Sequence, residues 1–193
     1  MTKRVTAAEL LAQLEKDPDF VARRDERDRA VEARAEALRV EEAPLVADLR
    51  AAGYDVTSVW DLVNSSLSYI DDVPLLLSHF VRPYSSSIRD GIARALGTPG
   101  AIEYWALLLN RYKSEEDFRV KDGLAAALAA IADDSVIDSV IALVRNSANG
   151  PSRLLLLRAL AKSRVPEARE TLVALRSDPF FEKEAKFLLR TSK

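Results

Sequence analysis

A nine-residue pattern recurs three times along the chain: Ile88-Arg-Asp-Gly-Ile-Ala-Arg-Ala-Leu96, Val120-Lys-Asp-Gly-Leu-Ala-Ala-Ala-Leu128 and, more degenerate, Ser152-Arg-Leu-Leu-Leu-Leu-Arg-Ala-Leu160. Successive copies start 32 residues apart in both intervals. A fixed period of roughly 20–50 residues marks a stacked repeat, in which each helical pair is too thin to bury its own apolar face and buries it against its neighbours. At about 100° per residue, Ile88, Ile92, Ala95 and Leu96 share one arc of a helix, as do Val120, Leu124, Ala127 and Leu128, with Leu156, Ala159 and Leu160 in the third copy. The basic residue at the second position (Arg89, Lys121, Arg153) falls at the edge of that arc, where its stem can pack while the charge reaches water or a carboxylate.

Each of these first helices is followed by a break: Gly97-Thr-Pro-Gly100, Ala132-Asp-Asp-Ser135 and Lys162-Ser-Arg-Val-Pro166. Proline suits the first turn of a helix and glycine its exit, so a second helix is expected after each break. These second helices read Ala101 to about Tyr112, Val136 to about Asn146 and Glu167 to about Arg176. The unit is a first helix, a short turn and a second helix, and polar or turn-forming segments separate the units. Carrying the register back one period places Val56, Trp60 and Val63 on the stripe of a divergent first repeat, whose second helix runs from Asp71 or Asp72 through Val81. The stretch Pro179 to Leu189 supplies one more helix, with polar residues interleaved as a terminal cap requires.

Ile88-Arg-Asp-Gly-Ile-Ala-Arg-Ala-Leu-Gly97 and Val120-Lys-Asp-Gly-Leu-Ala-Ala-Ala-Leu128 resemble the first helix of HEAT-like repeats, closest to the short bacterial type called phycobilisome-lyase-like. The resemblance covers the chain from about residue 55 onward and implies an all-α fold, a right-handed α-solenoid of helical hairpins with an N-terminal helical extension. On this division residues 1–53 form the extension, packing on the solenoid, and residues 54–193 the repeats. The pattern encodes packing and leaves function open. No lyase activity is implied, because the chain has no cysteine and no separate bilin-handling motif.

The first fifty residues stand outside the repeat. Thr6-Ala-Ala-Glu9 is a capping-box pattern opening a short helix, and Asp17-Pro18 restarts a second one running to about Glu42. That helix is dense in both signs, with Phe20, Val31, Ala35 and Leu38 as its thin apolar stripe. Its mixed charge predicts a solvated, self-compensating face; a recognition arm is the alternative. A third helix is expected from Pro44 to Ala52, ending at Gly53.

Chemistry is sparse. With no cysteine and one histidine, His79, the chain can build neither a thiol site nor a histidine metal cluster, and His79 reads as a packed residue. Asp71-Asp72 and Asp133-Asp134 precede helices and read as caps, and Ser85-Ser86-Ser87 reads as a helix start. No catalytic residue, cofactor or metal is expected. The absence of an apolar run of about 18 residues or of an apolar leader predicts a cytoplasmic protein without membrane association, and the preference for arginine and alanine suits a bacterial source.

The resemblance also implies where a partner would sit, since second helices line the concave side of HEAT-like solenoids. The outward arc there carries Glu103, Tyr104, Asn110 and Arg111, then Asp138, Arg145 and Asn146, with Arg169, Glu170 and Arg176 beyond. Trp105 is expected on the inner arc with Ile102, Ala106 and Leu109. Mixed charge with a tyrosine fits a protein partner in the groove. The expectation is therefore a non-enzymatic protein-binding scaffold, with toxin immunity or complex assembly as contexts by analogy. The alternative is a nucleic-acid-binding protein of the HEAT-like DNA glycosylase type, against which the formal net charge of −2 stands.

Overall fold

The structure, a computed structural model, describes residues 6–64 and 72–191. These residues are all-helical, with eleven α-helices and no strand. The chain divides into two compact units, Met1–Ala43 and Pro44–Lys193.

The first unit holds α1 (Ala7–Leu14) and most of α2 (Pro18–Ala51). The capping box is present: Glu9 N–H donates to Thr6 Oγ1, and Glu9 Oε2 accepts from the Thr6 N–H at 2.9 Å. Along α2 the two signs of charge pair with each other, as in Arg24–Asp25 and Arg39–Glu36. The expected break before Pro44 does not occur, and one helix runs through it. An internal proline loses a backbone hydrogen bond and crowds the preceding turn, at about 3 kcal/mol. Here the turns that follow are held regardless, because Leu45 and Leu49 are fully buried. The helix ends at Ala51, and Gly53 turns the chain away with φ of 96°.

In the second unit the helices alternate. The first helices of the repeats are α3 (Val59–Asn64), α5 (Ser86–Ala95), α7 (Phe118–Ile131) and α9 (Arg153–Lys162), followed by α11 (Glu182–Thr191). Each contacts the next in that order. The second helices are α4 (Val73–Phe80), α6 (Trp105–Ser114), α8 (Ile137–Arg145) and α10 (Pro166–Leu175). They pack on the first helices, α4 on α5, α6 on α7, α8 on α9, and α10 on both α9 and α11. Ile88, Ile92, Leu96, Val120, Leu124, Ala127, Leu128, Leu156, Ala159 and Leu160 are all buried, so the stripes face inward as the period requires. Ala95 is half-buried.

Two registers differ from the sequence expectation. In the first repeat, α3 begins only at Val59, so Val56 lies ahead of the helix, Trp60 and Val63 are half-buried, and the fully buried residue is Val59. The Asp61 carboxylate sets this start by accepting from the N–H groups of Thr57 and Ser58, which keeps its pKa below the usual carboxylate range. In the second repeat, the buried residues are Ala101, Leu108 and Tyr112, while Ala106 is exposed and Trp105 only half-buried. The cause is a 3₁₀ opening over Pro99–Tyr104. At three residues per turn it advances the phase by about 20° more per residue than an α-helix, so an arc projected at a constant angle drifts. In the second helix of the first repeat, Asp72 is the N-cap, accepting from Leu75 N–H, and Asp71 lies outside the described residues.

The glycines inside α5 and α7 mark close approaches. A Cβ on Gly91 would lie 2.5 Å from Val59 Cγ1 and 3.2 Å from the Trp60 ring, so α3 sits against bare backbone. One on Gly123 would lie 2.6 Å from Asp90 Oδ1 and 2.9 Å from both Ala93 Cβ and the Asp90 carbonyl oxygen, on α5. In α9 the equivalent position is Leu155, and a cleft of about 270 Å³ lies beside it between α7 and α9.

Candidate functional site

The repeat's own polar residues link successive repeats. Arg89 donates to Glu115 Oε2 at 2.6 Å and lies 5.2 Å from the centre of the Phe80 ring. Lys121 donates to the Glu115 carbonyl at 3.2 Å and lies 5.3 Å from the centre of the Tyr112 ring. Arg153 donates to the carbonyls of Gly150 and Val144 and sits over Phe180 and Phe181. Phe80, Tyr112 and Val144 are themselves spaced by the repeat period and buried, so each basic stem covers the end of a second helix. The helix-starting acids are engaged in the same way. Asp117 caps α7 and accepts from Ser86 Oγ, which holds its carboxyl below the usual range. Asp134 accepts from Ser163 Oγ and from Arg164 N–H, while Asp133 caps the turn before α8. Lys162 Nζ reaches the Ala130 carbonyl at 2.8 Å, in the last turn of α7, and burial pulls its pKa down.

Tyr112 joins the last turn of α6 to the start of α9 at depth. It is fully buried, its hydroxyl lies 2.8 Å from Ser152 Oγ, and burial pushes its pKa up. Ser152 Oγ in turn donates to the Asn149 carbonyl, so the tyrosine hydroxyl donates into the pair and every polar atom is satisfied.

His79 is likewise a structural residue. Its ring is fully buried on α4, with Nε2 2.9 Å from Asp48 Oδ2 and Nδ1 2.9 Å from the Tyr84 hydroxyl. A carboxylate only accepts, so Nε2 carries the proton and Nδ1 accepts from Tyr84. Burial lowers the histidine pKa, against the opposing pull of Asp48. Among the described residues no group of His, Asp and Glu side chains is placed to hold a metal ion, and no helix is long and apolar enough to cross a membrane.

The seven residues expected on the outward arc of the second helices fall on three elements. Glu103 and Tyr104 lie in the 3₁₀ opening before α6, and Asn110 and Arg111 on α6 itself. Asp138 and Arg145 lie on α8, and Asn146 is its C-cap. All are exposed except the half-buried Tyr104. Two of them also have local duties: Arg145 donates to Thr171 Oγ1 on α10, and Asn146 accepts from Ala148 N–H. Leu107, on the same helix as Arg111, is 42% exposed and adds an apolar element to that arc.

Concavity lies elsewhere. A cleft of about 410 Å³ between α10 and α11 is lined by Arg169, Val173, Arg176, Lys186, Leu189 and Arg190. A shallower one of about 440 Å³ adjoins it on α10 and shares Arg169 and Val173, with Glu170 on its rim. The cleft between α7 and α9 carries Arg94, Arg158 and Lys162. None of the seven arc residues lines these three clefts. The cleft beside α7 and α9 draws on residues from Arg94 to Lys162, and the one between α10 and α11 forms only when these consecutive helices pack together. One sequence signal does point there: from Arg153 onward the chain carries ten Lys and Arg against five Asp and Glu, although its net charge is −2.

Comparison of the chain with protein-family models, with curated proteins and with solved structures finds no match.

Proposed function

We propose that the chain is a non-enzymatic, cytoplasmic interaction module, a HEAT-like solenoid whose second helices present a face to a protein partner. The observation that carries this reading is the division of labour among its charges. Arg89, Lys121, Arg153, Asp117 and Asp134 are used between repeats. Among the described residues, by contrast, the side chains of Glu103, Tyr104, Arg111 and Asp138 enter no hydrogen bond or ion pair. A face of unengaged mixed charge around Tyr104 and Leu107 has the make-up of a protein-binding surface, where tyrosine and arginine carry most of the energy. The succession of contacts from α3 to α11 supports the solenoid.

The nucleic-acid alternative draws on the cations Arg94, Arg158 and Lys162 beside α7 and α9. Arg94 is neutralised by Asp90 and the Lys162 ammonium is turned onto the Ala130 carbonyl, which leaves too few outward-facing cations there for a polyanion. The test is copurification from the source cell. Tyr104→Ala combined with Arg111→Ala should weaken capture of the partner by about 2 kcal/mol or more, with the thermal midpoint near that of the wild type. Equal capture by the two proteins removes this face as the binding surface.

A further inference from the structure

The cleft between α10 and α11 gathers four cations, Arg169, Arg176, Lys186 and Arg190, around two apolar side chains, Val173 and Leu189. Among the described residues Lys186 pairs with Glu182, and no ion pair engages Arg169, Arg176 or Arg190. Val173 is 46% exposed at the shared wall of the two adjoining clefts. The composition is that of a site for an anion with an apolar body, and the nearby acid narrows it further. Glu170, next to Arg169 in the chain, lines the adjoining cleft, where it opposes an evenly charged polyanion running from one cleft to the other but not a ligand that sets an apolar group at that point. Guanidinium forks match carboxylates in two-bond geometry, and three arginines are present.

We propose that this cleft takes an acidic peptide segment of the protein partner, with carboxylates on Arg169, Arg176 and Arg190 and an interleaved apolar side chain on Val173 and Leu189. The inference rests on the protein-binding reading above and names the chemistry of the partner. It also extends the binding face from α6 and α8 to α10, to which α8 is tied through Arg145 and Thr171.

The probe is a short labelled peptide of alternating glutamate and leucine, titrated into the full chain at about 50 mM salt, where exposed charges are least screened. Its glutamine counterpart, inorganic phosphate and a short oligothymidylate serve as comparisons. The acidic peptide should bind, weaken as salt rises, and lose about tenfold or more in affinity in Arg169→Gln/Arg176→Gln, with each single substitution giving part of the loss. Arg119→Gln, which removes an exposed cation on α7, should leave the titration unchanged. Absence of binding, binding equal to that of the glutamine peptide, or equal affinity in the double variant overturns the proposal. Tighter binding of oligothymidylate or phosphate, lost in the same double variant, assigns the cleft to phosphates and also overturns it. If Tyr104→Ala/Arg111→Ala abolishes partner capture while the peptide titration fails, the face on α6 and α8 stands and only the cleft is lost.

Discussion

Replacing Gly123 by alanine separates intrinsic helix preference from close packing, because the two act in opposite directions. Inside a helix, glycine is less favourable than alanine by about 0.5–1 kcal/mol, so on propensity alone the substitution should stabilise α7. The structure adds a methyl where there is no room. Its nearest neighbours would be Asp90 Oδ1 at 2.6 Å, Ala93 Cβ at 2.9 Å and the Asp90 carbonyl oxygen at 2.9 Å. The carboxylate cannot simply swing aside, since Arg94 Nε holds it at 2.8 Å, and the other two atoms are backbone or fixed to it. Overpacking of this kind costs about 1–3 kcal/mol, so after the propensity gain the net effect is a loss of up to about 2.5 kcal/mol for alanine and more for leucine. For a domain of this size that lowers the midpoint by up to about 10 °C. Thermal unfolding followed by far-ultraviolet circular dichroism measures it. Gly100→Ala is the matched control, because a Cβ there meets nothing closer than Val73 Cγ2 at 4.0 Å. Adding Asp90→Ala should recover only part of the loss, since the Asp90 carbonyl remains in place. If Gly123→Ala raises the midpoint, close approach of α5 and α7 is not what keeps a glycine there.

Tyr112→Phe should cost about 1 kcal/mol in urea unfolding, since it removes one buried hydrogen bond while Ser152 retains its bond to Asn149; a change below about 0.3 kcal/mol would show the hydroxyl pair to be idle. His79 has a pKa lowered by burial, so the unfolded chain binds the proton more readily and the fold loses stability as pH falls through about 6.5. His79→Gln should flatten that part of the stability–pH curve, and an unchanged slope would locate the titrating group elsewhere.

What the sequence made legible follows from the range of each signal. The stripes from Ile88, Val120 and Leu156 were readable because they arise within one helix from side chains at three- and four-residue spacing. Gly91 and Gly123 stood out because a helix interior gives glycine no local reason to be there. Phase within the second helix of the second repeat was not readable, because it depends on the 3₁₀ turn at Pro99–Tyr104, whose extra twist is invisible to a constant-angle projection. Pro44 looked like a boundary because its local penalty is real, and only the burial of Leu45 and Leu49 by distant residues overrides it. The α10–α11 cleft was out of reach for a related reason: Arg169 and Arg190 are 21 residues apart and share a wall only after folding. Their excess of positive charge was visible, but its concentration into a concavity was not.

The links made by Lys121, Arg153 and Lys162 all end on main-chain carbonyls, those of Glu115, Gly150, Val144 and Ala130. A carbonyl oxygen is supplied by whichever amino acid occupies the position, so mutation of the neighbour leaves the acceptor intact. Each copy is thereby released from having to co-vary with the next one, and it can diverge while the joint between them persists. This accounts for a third copy that has exchanged Asp-Gly for Leu-Leu and still keeps Arg153 and the buried Leu156, Ala159 and Leu160. A lineage built this way would lose its recognisable wording long before it lost its joints.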